Sequence, residues 1–138
     1  MELVPFCVYT AKLERPDFVG DTPAGKRMVV GVREARWEGE QFKASQRGGT
    51  AADWLVVAPD GTAMPDVRMT LRTDDGAFVY VQYQGRGDWS GGSGSGPVYC
   101  APRFEVEDAR YAWMNKVQFV AKGGLDGGAV RYDVYALR

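Results

Sequence analysis

The chain has 138 residues, the length of one domain, and 45% of them are hydrophobic and 25% charged, as in an ordinary globular protein. Its 17 Lys and Arg nearly balance 18 Asp and Glu, so no strong basic field exists to attract nucleic acid or an anionic membrane. Histidine is absent, which removes Ser-His-Asp and Cys-His centres in their usual forms and the common His-rich metal sites. Acid–base chemistry must then fall to Asp, Glu, Lys, Tyr or Cys.

The N-terminal segment lacks a charged region followed by an apolar run, so it does not resemble a signal peptide. No stretch approaches the roughly 18 apolar residues of a membrane-spanning helix. We therefore expect a cytoplasmic protein in which Cys7 and Cys100 are reduced, buried thiols. Neither a metal nor a bound cofactor is expected.

Strand signals dominate the chain, because β-branched and aromatic residues recur in short runs bounded by Gly, Pro and Asp. No window of 12 or more residues has the apolar spacing of a helix. The predicted strands cover residues 3–13, 28–37, 41–46, 53–58, 67–73, 78–84, 98–106 with a break near Pro102, 113–121 and 130–137. The prediction is one all-β domain over residues 1–138, a single antiparallel β-barrel of about nine or ten strands that is lipocalin-like in appearance.

Turn and loop signals separate these runs. Pro59-Asp60-Gly61 and Asp74-Asp75-Gly76 are typical tight turns, the second joining two strands as a hairpin. Residues 15–27 are predicted to form a loop, in which GDTPAG is a rigid turn or a lid over the barrel mouth. Residues 85–97 are rich in Gly and Ser, which predicts a flexible segment, and residues 122–128 read as a Gly-rich turn.

Four stretches carry a resemblance to a known family. They are GDTPAGKR at 20–27, ADW at 52–54 followed by APDG, TLRTDDGAFVYVQYQG at 70–85, and PRFEVEDARYAWMNKVQFV at 102–120. In this order they resemble domain-of-unknown-function family 3237, a group of small barrel-like β proteins, over nearly the whole chain. The resemblance implies the fold. It adds little about function, because the family has no settled general biochemical role.

Side chains alternate between the two faces of a strand, and this alternation identifies candidate residues for the barrel interior, or lumen. If the polar faces of the fifth and sixth predicted strands point inward, the lumen holds Arg72, Tyr80 and Gln82; if outward, these are ordinary solvated positions. Trp113 and Asn115 share one face of a predicted strand, where Trp113 would wall a cavity and Asn115 would orient a ligand or else bond the backbone.

Further candidates come from the neighbouring strands. Asp53 and Trp54 open the fourth predicted strand, and Asp53 is the best candidate for a general base if a dry cavity raises its pKa. Arg103 and Glu105 share a face and are expected either to pair at the rim or to hold an anionic ligand group. Asp53, Tyr80 and Arg72 are thus the predicted catalytic residues, and the predicted ligand-binding residues are Trp54, Gln82, Arg103, Glu105, Trp113 and Asn115.

Three functions remain open on the sequence alone. The first is a barrel that binds a small organic molecule and acts on it without a cofactor, as an isomerase, lyase or cyclase would. The second is a non-catalytic carrier or sensor with the same pocket. The third is an assembly module with a filled barrel. A homodimer is compatible with each of them, since isologous dimers are the commonest oligomers.

Overall fold

A computed structural model describes residues 1–138 as twelve β-strands in one sheet, with a single 3₁₀ helix. The strands are β1 (Leu3–Leu13), β2 (Asp17–Thr22), β3 (Gly25–Glu38), β4 (Lys43–Gln46), β5 (Ala52–Val57), β6 (Thr62–Met64), β7 (Asp66–Thr73), β8 (Phe78–Asp88), β9 (Val98–Cys100), β10 (Arg103–Glu105), β11 (Phe119–Asp126) and β12 (Ala129–Leu137). The 3₁₀ helix spans Ala112–Lys116. The predicted all-β class is confirmed.

The sheet closes on itself, because β1 pairs with β12 on one side and with β3 on the other, all antiparallel. Several positions around the barrel are filled by two short strands in succession. Strands β1 and β2 lie along one edge of β3, strands β4 and β5 along its other edge, and β9 and β10 along β8. Closure pairs most strand edges internally, and the predicted antiparallel barrel is confirmed.

Alternating burial explains why these segments form strands with one face inside. In β3, Met28, Val30 and Val32 are buried while the residues between them are more exposed. In β8, Val79, Val81 and Tyr83 are buried in the same alternating way. Alternation at a period of two places the apolar side chains in the interior and the polar ones in water.

The predicted tight turns are present. Asp74, Asp75 and Gly76 join β7 to β8, and Gly76 has φ of +97°, a conformation that glycine adopts without steric cost. The Pro59-Asp60-Gly61 turn joins β5 to β6, and the Asp60 carboxylate accepts a hydrogen bond from the Thr62 N–H at 2.9 Å. In GDTPAG, the Thr22 hydroxyl donates to the Gly25 carbonyl at 2.8 Å, which makes this segment a hairpin turn.

Four sequence predictions about secondary structure are wrong. Residues 17–22 form strand β2 rather than a loop, because β3 extends far enough to pair with them. The short strand β6 was not predicted. Ala112–Lys116 is a 3₁₀ helix, so the strand predicted over 113–121 begins only at Phe119. That strand continues through the glycines of 122–126, since β12 supplies a full antiparallel partner there.

The Gly/Ser-rich stretch after β8 is folded into tight turns rather than a featureless coil. Trp89 anchors it: its backbone N–H donates to the Gly61 carbonyl at 2.9 Å and its indole N–H to the Gly96 carbonyl at 3.1 Å. Gly94 packs so closely that a Cβ there would lie 2.6 Å from Leu125 Cδ1, which places the stretch against the β11–β12 hairpin.

The barrel interior has two different halves. One half is plugged by aromatic side chains. Phe6 and Phe104 contact each other and each also contacts Phe42 and Phe119, at ring-centroid distances from 4.8 to 6.2 Å. Trp37, fully buried, stacks on Tyr9 and meets Phe104 of this plug edge to face. Beyond Tyr9 the lumen is not filled.

Both cysteines are buried and free, as expected. Burial raises the pKa of each thiol to about 12. The 3₁₀ segment is far too short and polar to cross a bilayer, and the chain contains no other helix.

Candidate functional site in the open half of the barrel

The open half of the lumen is a cavity of about 370 Å³. Its wall is mostly apolar, because inward positions of β3, β5, β7, β9 and β12 carry aliphatic side chains. These are Met28, Val30, Val32, Leu55, Val67, Val98 and Val130. A volume of this size falls in the range of small-molecule pockets, about 300–1,000 Å³. The space suits a compact organic guest.

The mouth of the cavity is formed by three connecting segments. The turn between β1 and β2 contributes Glu14, Arg15 and Pro16, and the stretch after β8 contributes Trp89 and Ser93. The β11–β12 hairpin contributes Leu125. The first of these segments is held in place because Glu14 forms a two-point ion pair with Arg33, each N–O distance being 3.2 Å.

Asp53 on β5 is the one carboxyl group deep in this cavity. Its Oδ1 accepts a hydrogen bond of 2.9 Å from the Asp66 backbone N–H, and no other protein donor reaches either oxygen. Burial raises the pKa of Asp53 to about 6, and the Asp66 N–H opposes that shift. The carboxyl can therefore gain and lose a proton near neutral pH.

Three tyrosines form the floor of the cavity, where it meets Trp37. Tyr9 on β1 pairs directly across the sheet with Tyr132 on β12, and Tyr83 comes from β8. Burial raises the pKa of all three hydroxyls, so they are neutral hydrogen-bond donors at ordinary pH. These tyrosines were missed by the sequence prediction.

Of the sequence-predicted site residues, Asp53 alone lines the cavity. The prediction that Arg72, Tyr80 and Gln82 point into the lumen is wrong. They lie on the outer face, because Leu71, Val79 and Val81 between them fill the interior. There the Tyr80 hydroxyl donates to Gln82 Oε1 at 3.0 Å, and Arg72 lies over the Phe78 ring.

Arg103 and Glu105 also lie outside, on either side of the buried Phe104. Strand β10 pairs them with Gln82 and Tyr80, so four predicted residues do come together, but on the outer surface of the barrel. Arg103 and Glu105 do not form the expected ion pair with each other.

Trp54, Trp113 and Asn115 are likewise outside the cavity. Trp54 is 38% exposed on the outer face of β5, and Trp113 is 39% exposed at the plugged end, with its ring against Phe6. Asn115 pins the backbone: its Oδ1 accepts from the Val106 N–H at 2.8 Å and its Nδ2 donates to the Val106 carbonyl at 2.7 Å. The alternative in which Asn115 bonds the backbone is the one observed.

The paired carboxylates of the β7–β8 turn have structural partners. Asp74 accepts two hydrogen bonds from Arg36, of 2.7 and 2.9 Å. Asp75 accepts from the hydroxyls of Thr73 and Tyr111 at 2.6 and 2.7 Å. Nowhere do three or more Cys, Asp or Glu side chains gather as a metal site would require.

Comparison with known proteins identifies the family of the chain. The family described as a protein of unknown function, DUF3237, matches residues 1–137. The chain belongs to this family. A UPF0311 protein of Clostridium acetobutylicum is 27% identical over 124 residues, which cover 80% of this chain and 78% of that protein.

Solved structures agree with the barrel fold. A beta-barrel like protein from Acinetobacter baumannii AYE is 28% identical, with a TM-score of 0.89 over 99% of this chain and 96% of that one. An enzyme from Penicillium herquei is 18% identical, with a TM-score of 0.66 over 99% of this chain and 98% of that one. The second likeness concerns the fold alone.

Proposed function

We propose that this DUF3237 protein binds a compact, largely apolar organic molecule in the open half of its barrel and that Asp53 exchanges a proton with it. The observation that carries the proposal is the Asp53 carboxyl group, with a pKa of about 6, inside a mostly apolar cavity of about 370 Å³. A group whose pKa lies near the working pH is suited to general acid–base catalysis.

The reaction types that fit are those that need a held shape and one proton transfer, namely isomerisation, elimination or cyclisation. The aliphatic wall would exclude water from the guest, and in that dry space the carboxylate is a stronger base than in solution. The existence of an enzyme with this fold in Penicillium herquei is compatible with catalysis in such a lumen.

A carrier or sensor is the second candidate, since it would use the same cavity without turnover. An assembly module with a filled barrel is disfavoured, because side chains do not fill the lumen beyond Tyr9. Binding and turnover measurements on the same variants separate the first two candidates.

The binding test uses a substitution in the cavity wall that fills part of the cavity. In Val30→Phe the added ring enters the lumen, and in the matched control Val29→Phe the ring lies on the opposite face of β3. A panel of small aromatic and alicyclic compounds is titrated against each variant, with thermal shift and tryptophan fluorescence as readouts, since Trp89 lies at the mouth. We expect Val30→Phe to weaken binding at least about tenfold and Val29→Phe to leave it unchanged.

Equal binding by both variants would show that the compounds bind elsewhere, and the proposal would then be wrong. For compounds that bind and are converted, Asp53→Asn is expected to abolish conversion and keep most of the affinity. If no compound that binds is ever converted, the carrier interpretation replaces the enzymatic one.

A further inference from the structure

The floor of the cavity is a triangle of three tyrosine rings. The ring centroids of Tyr9 and Tyr132 are 5.7 Å apart, and Tyr83 lies 5.9 Å from each of them. All three side chains are at most 5% exposed and all three line the cavity. Gly123, opposite Tyr132 across the β11–β12 ladder, makes room for the triangle, since a Cβ there would lie 2.5 Å from the Tyr132 ring.

The three hydroxyl groups of this triangle can donate more hydrogen bonds than the protein accepts from them. Tyr83 donates to the Tyr9 oxygen at 3.4 Å, and that is the only hydrogen bond in which any of the three hydroxyls takes part. The hydroxyl protons of Tyr9 and Tyr132 therefore have no acceptor in the protein. Tyr9 and Tyr132 both line the cavity, and the Tyr132 hydroxyl is not fully enclosed by protein, so their free hydroxyl protons can be offered to an acceptor atom on a guest.

Asp53 supplies a hydrogen-bond acceptor in the same cavity. One of its oxygens accepts from the Asp66 N–H, and the other accepts nothing from the protein. The sheet register places Asp53 on β5 beside Val67 on β7, and Val67 beside Tyr83 on β8, so one strand separates Asp53 from Tyr83 at the same level of the barrel. The Asp53 charge also contributes, after burial, to the raised pKa of Tyr9 and Tyr132.

We propose that the guest is an enolisable carbonyl compound, whose oxygen accepts hydrogen bonds from Tyr9 and Tyr132 while the Asp53 carboxylate removes a proton from the adjacent carbon. This inference rests on the proposed function and names its substrate class. Two neutral donors that both bond one oxygen stabilise the negative charge that develops there, and a carbonyl is the acceptor whose charge rises on loss of an α-proton.

The proton transfer balances without any further reactant. The α-carbon C–H bond breaks, its proton forms an O–H bond on Asp53, and its electron pair forms the C=C bond of an enolate as the carbonyl π pair moves to oxygen. Asp53 then returns a proton, either the same one or one exchanged with solvent through the cavity mouth, to a carbon of the same molecule. Return to a different carbon, where the guest is conjugated, gives an isomer.

The experiment uses 2-tetralone, a bicyclic ketone with exchangeable α-protons, and naphthalene, which has a similar shape and no oxygen. Binding of each to the full chain is measured by fluorescence titration. Exchange of the 2-tetralone α-protons in D₂O is followed by proton NMR with and without protein. The variants are Tyr9→Phe, Tyr132→Phe and Asp53→Asn, with Tyr135→Phe as the matched control, because Tyr135 lies on β12 outside the cavity.

We expect wild type and Tyr135→Phe to bind 2-tetralone at least about tenfold more tightly than naphthalene and to accelerate the exchange. Tyr9→Phe and Tyr132→Phe should each lose most of that preference and slow the exchange at least about tenfold, and Asp53→Asn should bind the ketone without accelerating exchange. Two single tyrosine variants keep the test valid if one of them fails to fold.

The experiment distinguishes failure of the carbonyl inference from failure of the binding proposal. If naphthalene and 2-tetralone bind the cavity equally, or if the ketone binds and its exchange is not accelerated, the carbonyl inference is overturned while the binding proposal stands. If the titration detects no binding of either compound, or if Val30→Phe leaves the measured affinity unchanged, both the inference and the binding function on which it rests are overturned.

Discussion

Tyr9 lies face to face with Trp37, with ring centroids 4.1 Å apart and ring planes within 18° of parallel. This stacked pair marks the boundary inside the barrel: Trp37 packs onto the aromatic plug through Phe104, and Tyr9 faces the cavity. The residues that hold the barrel together and those that would meet a guest are therefore in direct contact.

Removing the larger ring of this pair should lower the stability of the protein. Trp37→Ala deletes a fully buried indole, and we expect a loss of about 3–5 kcal/mol in the free energy of unfolding, from lost burial and the space left behind. Urea unfolding followed by circular dichroism measures it. Trp54→Ala is the control, since Trp54 is 38% exposed, and it should cost about 1 kcal/mol or less. Equal losses would contradict the assigned boundary.

Asp53→Asn should stabilise the protein in a pH-dependent way. The pKa of Asp53 is about 6 when folded and near 3.8 when unfolded, so the folded chain binds the extra proton between those values. Its carboxylate therefore destabilises the fold above pH 6, and this penalty disappears as the pH falls toward 4. The uncharged amide of the variant carries no such penalty at any pH in this range.

Unfolding curves of wild type and D53N across pH 4–8 test this sign. D53N should be more stable by up to ~3 kcal/mol at pH 7 to 8, and the difference should shrink to near zero at pH 4. Hydrogen-bond partners lower the pKa of three carboxylates at the surface, Asp74, Asp75 and Asp108. These groups titrate alike in both proteins, so their contributions cancel in the difference. A difference independent of pH would contradict the raised pKa.

Asn115→Ala should affect stability and leave ligand binding unchanged. Both side-chain hydrogen bonds of Asn115 go to Val106, and their loss should cost about 1–3 kcal/mol. The adjacent Lys116→Ala, at an exposed position without such bonds, is the control and should stay within about 0.5 kcal/mol of wild type. A loss of affinity without a loss of stability would restore the ligand-orienting role predicted from the sequence.

The two thiols should be unreactive in the folded protein. Burial raises the pKa of Cys7 and Cys100 to about 12, so very little thiolate exists at pH 8. We expect an aromatic disulfide reagent to modify both thiols at least about 100-fold faster in denaturant than in buffer. Rapid modification of one thiol in buffer would show that its strand opens locally; Cys7→Ser and Cys100→Ser identify which.

The course of the strands could be predicted well where alternation is regular. Strand β1 matches its prediction at both ends, and the β7–β8 hairpin follows from Asp74-Asp75-Gly76. Prediction failed where pairing rather than composition decides the structure. Phe18 lies in a strand because β3 is long enough to pair with it, and Trp113 lies in a 3₁₀ turn despite a strand-like sequence.

The candidate site shows the same limit. Alternation separated Tyr80 and Gln82 from Val79 and Val81 correctly, but a period of two does not say which face is inside. Had the apolar face been taken as inward, Tyr83 would have joined it, since it continues that alternation along β8. Asp53 could be proposed from its position, but its place in the wall of a mostly apolar cavity could not.

The sequence by itself determined the class of fold and the two-faced strands, because these follow from the spacing of apolar residues along the chain and from turn residues with restricted backbones. Only the tertiary structure decided which face is the lumen, that one half of it is plugged and the other open, and that Tyr9, Tyr83, Tyr132 and Asp53 meet there. Closure of the sheet brings distant strands together, and that contact depends on how all the side chains share one interior, which no local pattern encodes.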